Sequence, residues 1–167
     1  MRLPRSVGAV AALTLLAACS LDTGPNVPAP IDPANDTYAP ALNVDISKMT
    51  KTASGLYYRD LVLGEGVPAM TGDSVQVHFT LWLTNGTKVQ SSKDGTGEPI
   101  RILLGDNSVN ATIPGFQEGV TGMQQGGKRQ LVVPPNLAWG STGLPPVQPN
   151  ANVVFEVDYV AKITGTT

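Results

Sequence analysis

Between Ser74 and Thr84 the odd positions Val75, Val77, Phe79, Leu81 and Leu83 are apolar, while Gln76, His78, Thr80 and Thr84 are not. A period of two over eleven residues fits a strand with one buried face and fits no helix. Trp82 interrupts the pattern on the outer face. Asn85-Gly86 follows at once and predicts a type I′ turn, so Thr87 to Ser91 is expected to return antiparallel. A chain that contains such a hairpin must build an antiparallel sheet around it.

Other segments join that sheet. Gly55 to Leu63 reads as a strand ended by Gly64-Glu65-Gly66, Ile100 to Leu104 as a short one ended by Gly105-Asp106-Asn107, and Lys128 to Val133 as one stopped by Pro134-Pro135. The last, Val153 to Ile163, alternates Val153, Phe155, Val157, Tyr159 and Ala161 with Glu156, Asp158 and Lys162. One stretch is helical: Pro114 to Gly122, where Phe116, Val120 and Met123 share a face and Pro114 opens the first turn. Gly115, Gly119 and Gly122 weaken it, so it needs a sheet to pack against. The expected class is α+β, with five to six antiparallel strands and one short helix on one face.

The N-terminus reads differently. Arg2 and Arg5 precede an apolar run from Val7 to Ala18, too short to span a bilayer, and Leu16-Ala17-Ala18-Cys19 closes it. Those features describe an export signal, and the cysteine at its end resembles the bacterial lipoprotein box. That resemblance implies cleavage before Cys19 and acylation of the new N-terminus, with residues 1–18 as the signal peptide. Ser20, in place of an aspartate, favours an outer-membrane destination within the cell envelope. Since Cys19 is the sole cysteine, the folded part has no disulfide to rely on. Residues 19–47 carry Pro25, Pro28, Pro30, Pro33 and Pro40 among small and polar residues, and are expected to form a flexible tether reaching ~25–30 Å from the membrane. Tyr38, Leu42, Val44 and Ile46 leave open that part of it packs as an extra strand. Residues 48–167 form the folded domain.

Charge excludes some functions. Of eleven basic residues, nine remain after the signal, against thirteen acidic ones and with no basic cluster, so nucleic acid is not an expected partner. His78 is the single histidine, which leaves no His-based metal site and no Ser-His-Asp triad to complete; on a strand it reads as a hydrogen-bonded structural residue. Gly126-Gly127-Lys128-Arg129 lacks the spacing of a phosphate loop, and Asp94 to Glu98 has too few carboxylates for a calcium loop. No metal and no cofactor is expected.

Four blocks carry chemistry together: Gly72 to Thr80, Ser91-Ser92, Ile113 to Val120 (Ile-Pro-Gly-Phe-Gln-Glu-Gly-Val), and Leu137 to Gly143 (Leu-Ala-Trp-Gly-Ser-Thr-Gly). In order and spacing they resemble the FKBP-type peptidyl-prolyl isomerases over roughly Ser54 to Ile163. The resemblance implies a half-open sheet wrapped around the helix, and an apolar pocket between them that takes a substrate proline. It implies Phe79, Gln90, Ile113, Phe116, Trp139 and Phe155 as the catalytic set, and Val89, Ile100, Ile102, Thr112, Leu144 and Val147 as further substrate-binding residues. Phe116 would be the floor, the Ile113 backbone N–H would donate to a substrate carbonyl, and Trp139 would stand where the family usually has a tyrosine. The family's Phe-Asp pair before the double serine is here Val89-Gln90, so weak turnover is expected. The implied partners are Pro-containing polypeptides and, through the lipid, a membrane; the domain is expected to be monomeric. The alternative is a catalytically poor chaperone or binding module using the same groove.

Overall fold

The structure, a computed structural model, describes residues 27–108 and 111–163. The signal peptide, Cys19 and the chain up to Asn26 lie outside the described residues. No described helix is long and apolar enough to cross a membrane.

Among the described residues seven strands form one antiparallel sheet: β1 (Thr50–Lys51), β2 (Tyr57–Val62), β3 (Ser74–Leu83), β4 (Lys88–Ser91), β5 (Ile100–Leu103), β6 (Lys128–Val133) and β7 (Val153–Lys162). Their order is β1-β2-β6-β7-β3-β4, with β5 also on the free side of β3. The two ten-residue strands, β3 and β7, pair from Val75–Lys162 to Leu83–Val153 and form the spine. Along β3 the alternation read from the sequence holds, and Val75, Val77, Phe79 and Leu81 are buried while their neighbours are only partly covered. The turn after β3 is not type I′. Gly86 takes a positive φ of 89° but Asn85 does not. Gly86 N–H donates to Leu83 O, and Leu83 N–H to Thr87 O, which gives a three-residue loop with the glycine in the left-handed position.

The one α-helix among the described residues, α1, runs Pro114–Val120 and lies on the inner face of the sheet. It stops short of Gly122 because Thr121 leaves helical geometry (ψ 132°) and Gly122 adopts φ 83°. Its glycines have a packing reason. A Cβ on Gly115 would collide with Val133, and one on Gly119 with Leu131, so the residues that weaken the isolated helix let it settle on β6. Arg129, also on β6 and 8 % exposed, reaches the helix's far end, donating to Gly119 O and Thr121 O while Asp60 binds its other nitrogens. A cation at the carbonyl end of a helix is favourable there. Leu56, Val75, Val77, Leu104, Val120, Met123, Leu131, Val133 and Val157 fill the space between helix and sheet.

The expected tether is corrected by the structure from Val27 onward. This segment is a strap laid across the outer face of the sheet, in three 3-10 turns at Pro33–Asn35, Pro40–Leu42 and Ile46–Lys48. Its Leu42, with Tyr38, Ala39, Val44 and Ile46 around it, covers Tyr57, Trp82, Val132 and Val154. Those four explain the docking, since uncovered they would leave a second apolar face in water. Trp82, which broke the alternation of β3, belongs to this second core. Polar fastenings accompany it: Asn150 Nδ2 donates to Pro28 O (2.7 Å), Asn152 Nδ2 to Ile31 O (3.0 Å) and Asp36 Oδ2 (2.8 Å), and Gln130 Nε2 to Leu42 O (2.7 Å). The strap forms turns rather than an added strand, because Pro28, Pro30, Pro33 and Pro40 lack the N–H that a ladder requires. The folded unit therefore takes in at least some twenty residues before position 48.

Candidate active site

The site forms where the helix's first turn meets the middle of the spine. Phe79 and Leu81 come from β3 and Phe155 from β7, and the register sets Leu81 directly opposite Phe155. Phe116 projects from α1 between them. Phe116 lies 5.1 Å from Phe155 and 5.7 Å from Phe79 between ring centroids, at interplanar angles of 61° and 77°. Such edge-to-face pairs are the favoured arrangement of aromatic quadrupoles and hold the rings rigidly.

Above these rings is a cavity of about 200 Å³, lined by Phe79, Leu81, Gln90, Ile100, Ala111, Thr112, Ile113, Phe116, Trp139 and Phe155. A dry cavity of roughly 150 Å³ already holds a six-membered hydrocarbon ring, so a pyrrolidine fits here. Two larger hollows, of about 550 and 590 Å³, lie behind α1 and along the strap, but neither gathers aromatic rings from three elements. None of the described side chains lining the aromatic cavity is ionisable. Among the described residues, no group of three His, Cys, Asp or Glu is placed to hold a metal.

Backbone ties fix the walls. Ser92 Oγ accepts from Phe79 N–H at 2.9 Å, and Ser91 Oγ donates to Phe79 O at 3.0 Å, so the double serine pins the peptide units on both sides of Phe79. His78 joins the same cluster, its Nδ1 3.2 Å from Ser92 Oγ. Ile113 precedes the helix in extended geometry (φ −54°, ψ 145°) and its carbonyl accepts from Phe116 N–H. Its own N–H donates to no other described residue.

All six residues of the expected catalytic set line this cavity, as do Ile100 and Thr112. Four other expected residues do not. Val89 is the extra residue of a bulge between the Leu81–Gln90 and Trp82–Lys88 pairs, and packs at the edge of the core. Ile102 pairs with Val75, one inward step past Ile100 towards the start of β3, and is core at 6 % exposure. Leu144 and Val147 close a four-residue turn on each other through reciprocal backbone bonds; Val147 then points into the core at 4 % exposure, while Leu144 is 51 % exposed and away from the cavity. Two lining residues were missed. Leu81 was legible as the next inward position after Phe79, whereas Ala111 carries no signal beyond standing next to Thr112.

A family model described as FKBP-type peptidyl-prolyl cis-trans isomerase matches residues 66–160. The FK506-binding protein of Neisseria meningitidis serogroup B is 43% identical over 105 residues, covering 62% of this chain and 93% of that protein. The FKBP-type peptidyl-prolyl cis-trans isomerase FkpA of Escherichia coli is 37% identical over 112 residues, 66% of this chain and 39% of that one. Among solved structures, AtFKBP13 superposes with a TM-score of 0.62 at 30% identity, covering 69% of this chain and 98% of the other.

Proposed function

The chain belongs to the FKBP-type peptidyl-prolyl cis-trans isomerases, and from that premise we propose that its aromatic cavity accelerates cis/trans isomerisation of X–Pro bonds in polypeptides. The carrying observation is the roughly 200 Å³ hollow walled by Phe79, Phe116, Trp139 and Phe155, with Ile113, whose N–H no other described residue engages, in its lining. Rotation about an X–Pro bond costs ~20 kcal/mol because amide resonance is lost at the twisted geometry. The planar amide is the more polar form and hydrates better, so a dry aromatic wall raises it relative to the twisted one. That is differential binding of the transition state, and it needs neither nucleophile nor metal. The Ile113 N–H holds a carbonyl beside the proline still, so that the bond turns rather than the whole peptide.

Turnover is slow by this reading, since Gln90 offers a neutral amide at the cavity edge where the family has a carboxylate. The test is a protease-free refolding assay on a protein limited by an X–Pro step. An unaccelerated slow phase, with peptide binding intact, would leave a proline-binding chaperone as the function of the same cavity.

The place of action follows from the N-terminal pattern. We place the protein in the cell envelope as a monomer, anchored by lipid on Cys19 after removal of residues 1–18, with outer-membrane retention favoured by Ser20 and clients among exported chains. Cys19→Ser is then expected to move the protein from the membrane fraction to the soluble one.

A further inference from the structure

Gln117 is a polar residue on the buried side of α1, only 7 % exposed, and it does not line the cavity. Its side-chain amide makes three hydrogen bonds, all to backbone of the segment that leads from β5 to the helix. Oε1 accepts from Gly105 N–H at 2.8 Å, and Nε2 donates to Asp106 O at 2.8 Å and to Thr112 O at 2.9 Å. The last of these is the informative one. Thr112 C=O and Ile113 N–H belong to one planar trans peptide unit, in which carbonyl and N–H point in opposite directions. A donor that holds the Thr112 oxygen on the helix side therefore turns the Ile113 N–H away from the helix, to the side where Thr112 and Ile113 line the cavity. Hydrogen bonding to the carbonyl also polarises the same peptide unit and strengthens its N–H as a donor.

We propose that Gln117 is a positioning residue that aims the Ile113 N–H at the substrate carbonyl, without touching substrate itself. This rests on the cavity being the peptide site. The role needs an amide rather than a carboxylate, because both Nε2 bonds are donated to carbonyl oxygens. The charged groups around it are engaged elsewhere: Glu118 with Ser54, Asp106 with Ser108, and the Arg129 guanidinium with Asp60.

Gln117→Glu tests the proposal, since it keeps the shape and the bond from Gly105 N–H but sets an anionic oxygen against Thr112 O and Asp106 O. Protonation of that carboxyl returns one donor, so the variant acquires a pH dependence that a merely structural role would not give. The measurements, on the full chain, are kcat/KM for an X–Pro peptide from pH 5 to 8 and the shift of the Ile113 amide resonance when that peptide is added. Wild type is expected to be flat with pH, and Gln117→Glu to lose about tenfold or more as pH rises, with the peptide-induced Ile113 shift reduced in parallel. Gln117→Met, which removes all three bonds, is expected to be low at every pH. Should Gln117→Glu fail to fold at neutral pH, the same comparison at pH 5 against Gln117→Met decides the matter. A folded Gln117→Glu protein with wild-type kcat/KM and an unchanged Ile113 shift overturns the positioning role alone. A wild-type chain that neither turns over nor shifts with peptide overturns the functional reading as well.

Discussion

Replacing Phe116 by alanine separates the two duties of one ring. Phe116 is 2 % exposed and contacts Phe79 and Phe155 edge-on. Phe→Ala in a core costs about 3–5 kcal/mol. One side of this ring already borders a cavity, so the packing lost lies on the sheet side, and the lower end, about 3 kcal/mol, applies. That is a large part of a domain's usual margin of about 5–15 kcal/mol, yet it leaves the variant folded. The floor of the cavity also loses apolar contact with the substrate ring, worth about 1.5–2 kcal/mol, or about ten- to thirtyfold in kcat/KM. Val120→Ala supplies the control: it sits on the same helix, is fully buried and lines no part of the cavity. It is expected to lose about 2 kcal/mol and to keep turnover within about twofold. The assay is urea unfolding for stability, together with protease-free exchange NMR on an X–Pro peptide under conditions where both variants are folded. A folded Phe116→Ala protein with wild-type kcat/KM, or a Val120→Ala protein that falls equally, refutes the assignment of the floor.

Gln90→Asp is expected to raise kcat/KM up to about fivefold, because a charge-assisted hydrogen bond at the rim gains about 1 kcal/mol over a neutral one; no gain contradicts the account of slow turnover. Leu42→Ala, which empties the middle of the strap's contact with Tyr57, Val132 and Val154, is expected to cost about 2 kcal/mol in urea unfolding while leaving turnover unchanged; a cost under about 0.5 kcal/mol contradicts the second core. Stability is expected to fall in acid. The Ala34 N–H and Lys51 hold Asp32 below the usual carboxylate range, Lys162 and the Met70 N–H do so for Asp73, and Lys48 and Ser47 bring Asp45 to about 2. A lowered folded-state pKa gives stability that is present above the unfolded value of about 4 and lost as pH falls through the folded value, so the loss is expected between about pH 4 and 2. Turnover is expected to stay flat from pH 5 to 8, since no cavity-lining side chain titrates there; a bell-shaped profile contradicts that lining.

The spine and the helix were legible because both are written in local periodicity. Alternation on β3 and β7 set Phe79 and Phe155 on the inner face, and the helical pattern after Pro114 set Phe116 on the face that packs; only the resemblance of the four blocks to the isomerase family singled them out, with Ile113, as site residues. What stayed hidden depends on contacts between distant parts of the chain. Nothing near Val89 signals the bulge that removes it from the cavity, and nothing near Val147 shows that a closed turn sends it inward. The strap was misread for the same reason. Proline, alanine and asparagine describe a disordered linker equally well, and only the apolar outer face formed by Trp82, Tyr57, Val132 and Val154 gives Leu42 somewhere to go. Gln117 is similarly opaque, because its partners are backbone groups, which any sequence possesses.

The strap also decides how the protein bears mechanical load. Tension entering at residue 27 meets, in succession, the Pro28–Asn150 bond, the Ile31–Asn152 bond, the Asp32–Lys51 ion pair and the Leu42 cluster before it runs along the chain into β1. These yield one after another, as stitches in a peeled seam, each at the strength of a single contact. Each stitch passes on to its partners, Asn150 and Asn152 beside β7 among them, no more force than breaks it, so the strand pairs that frame the aromatic rings meet larger loads only after the seam has opened.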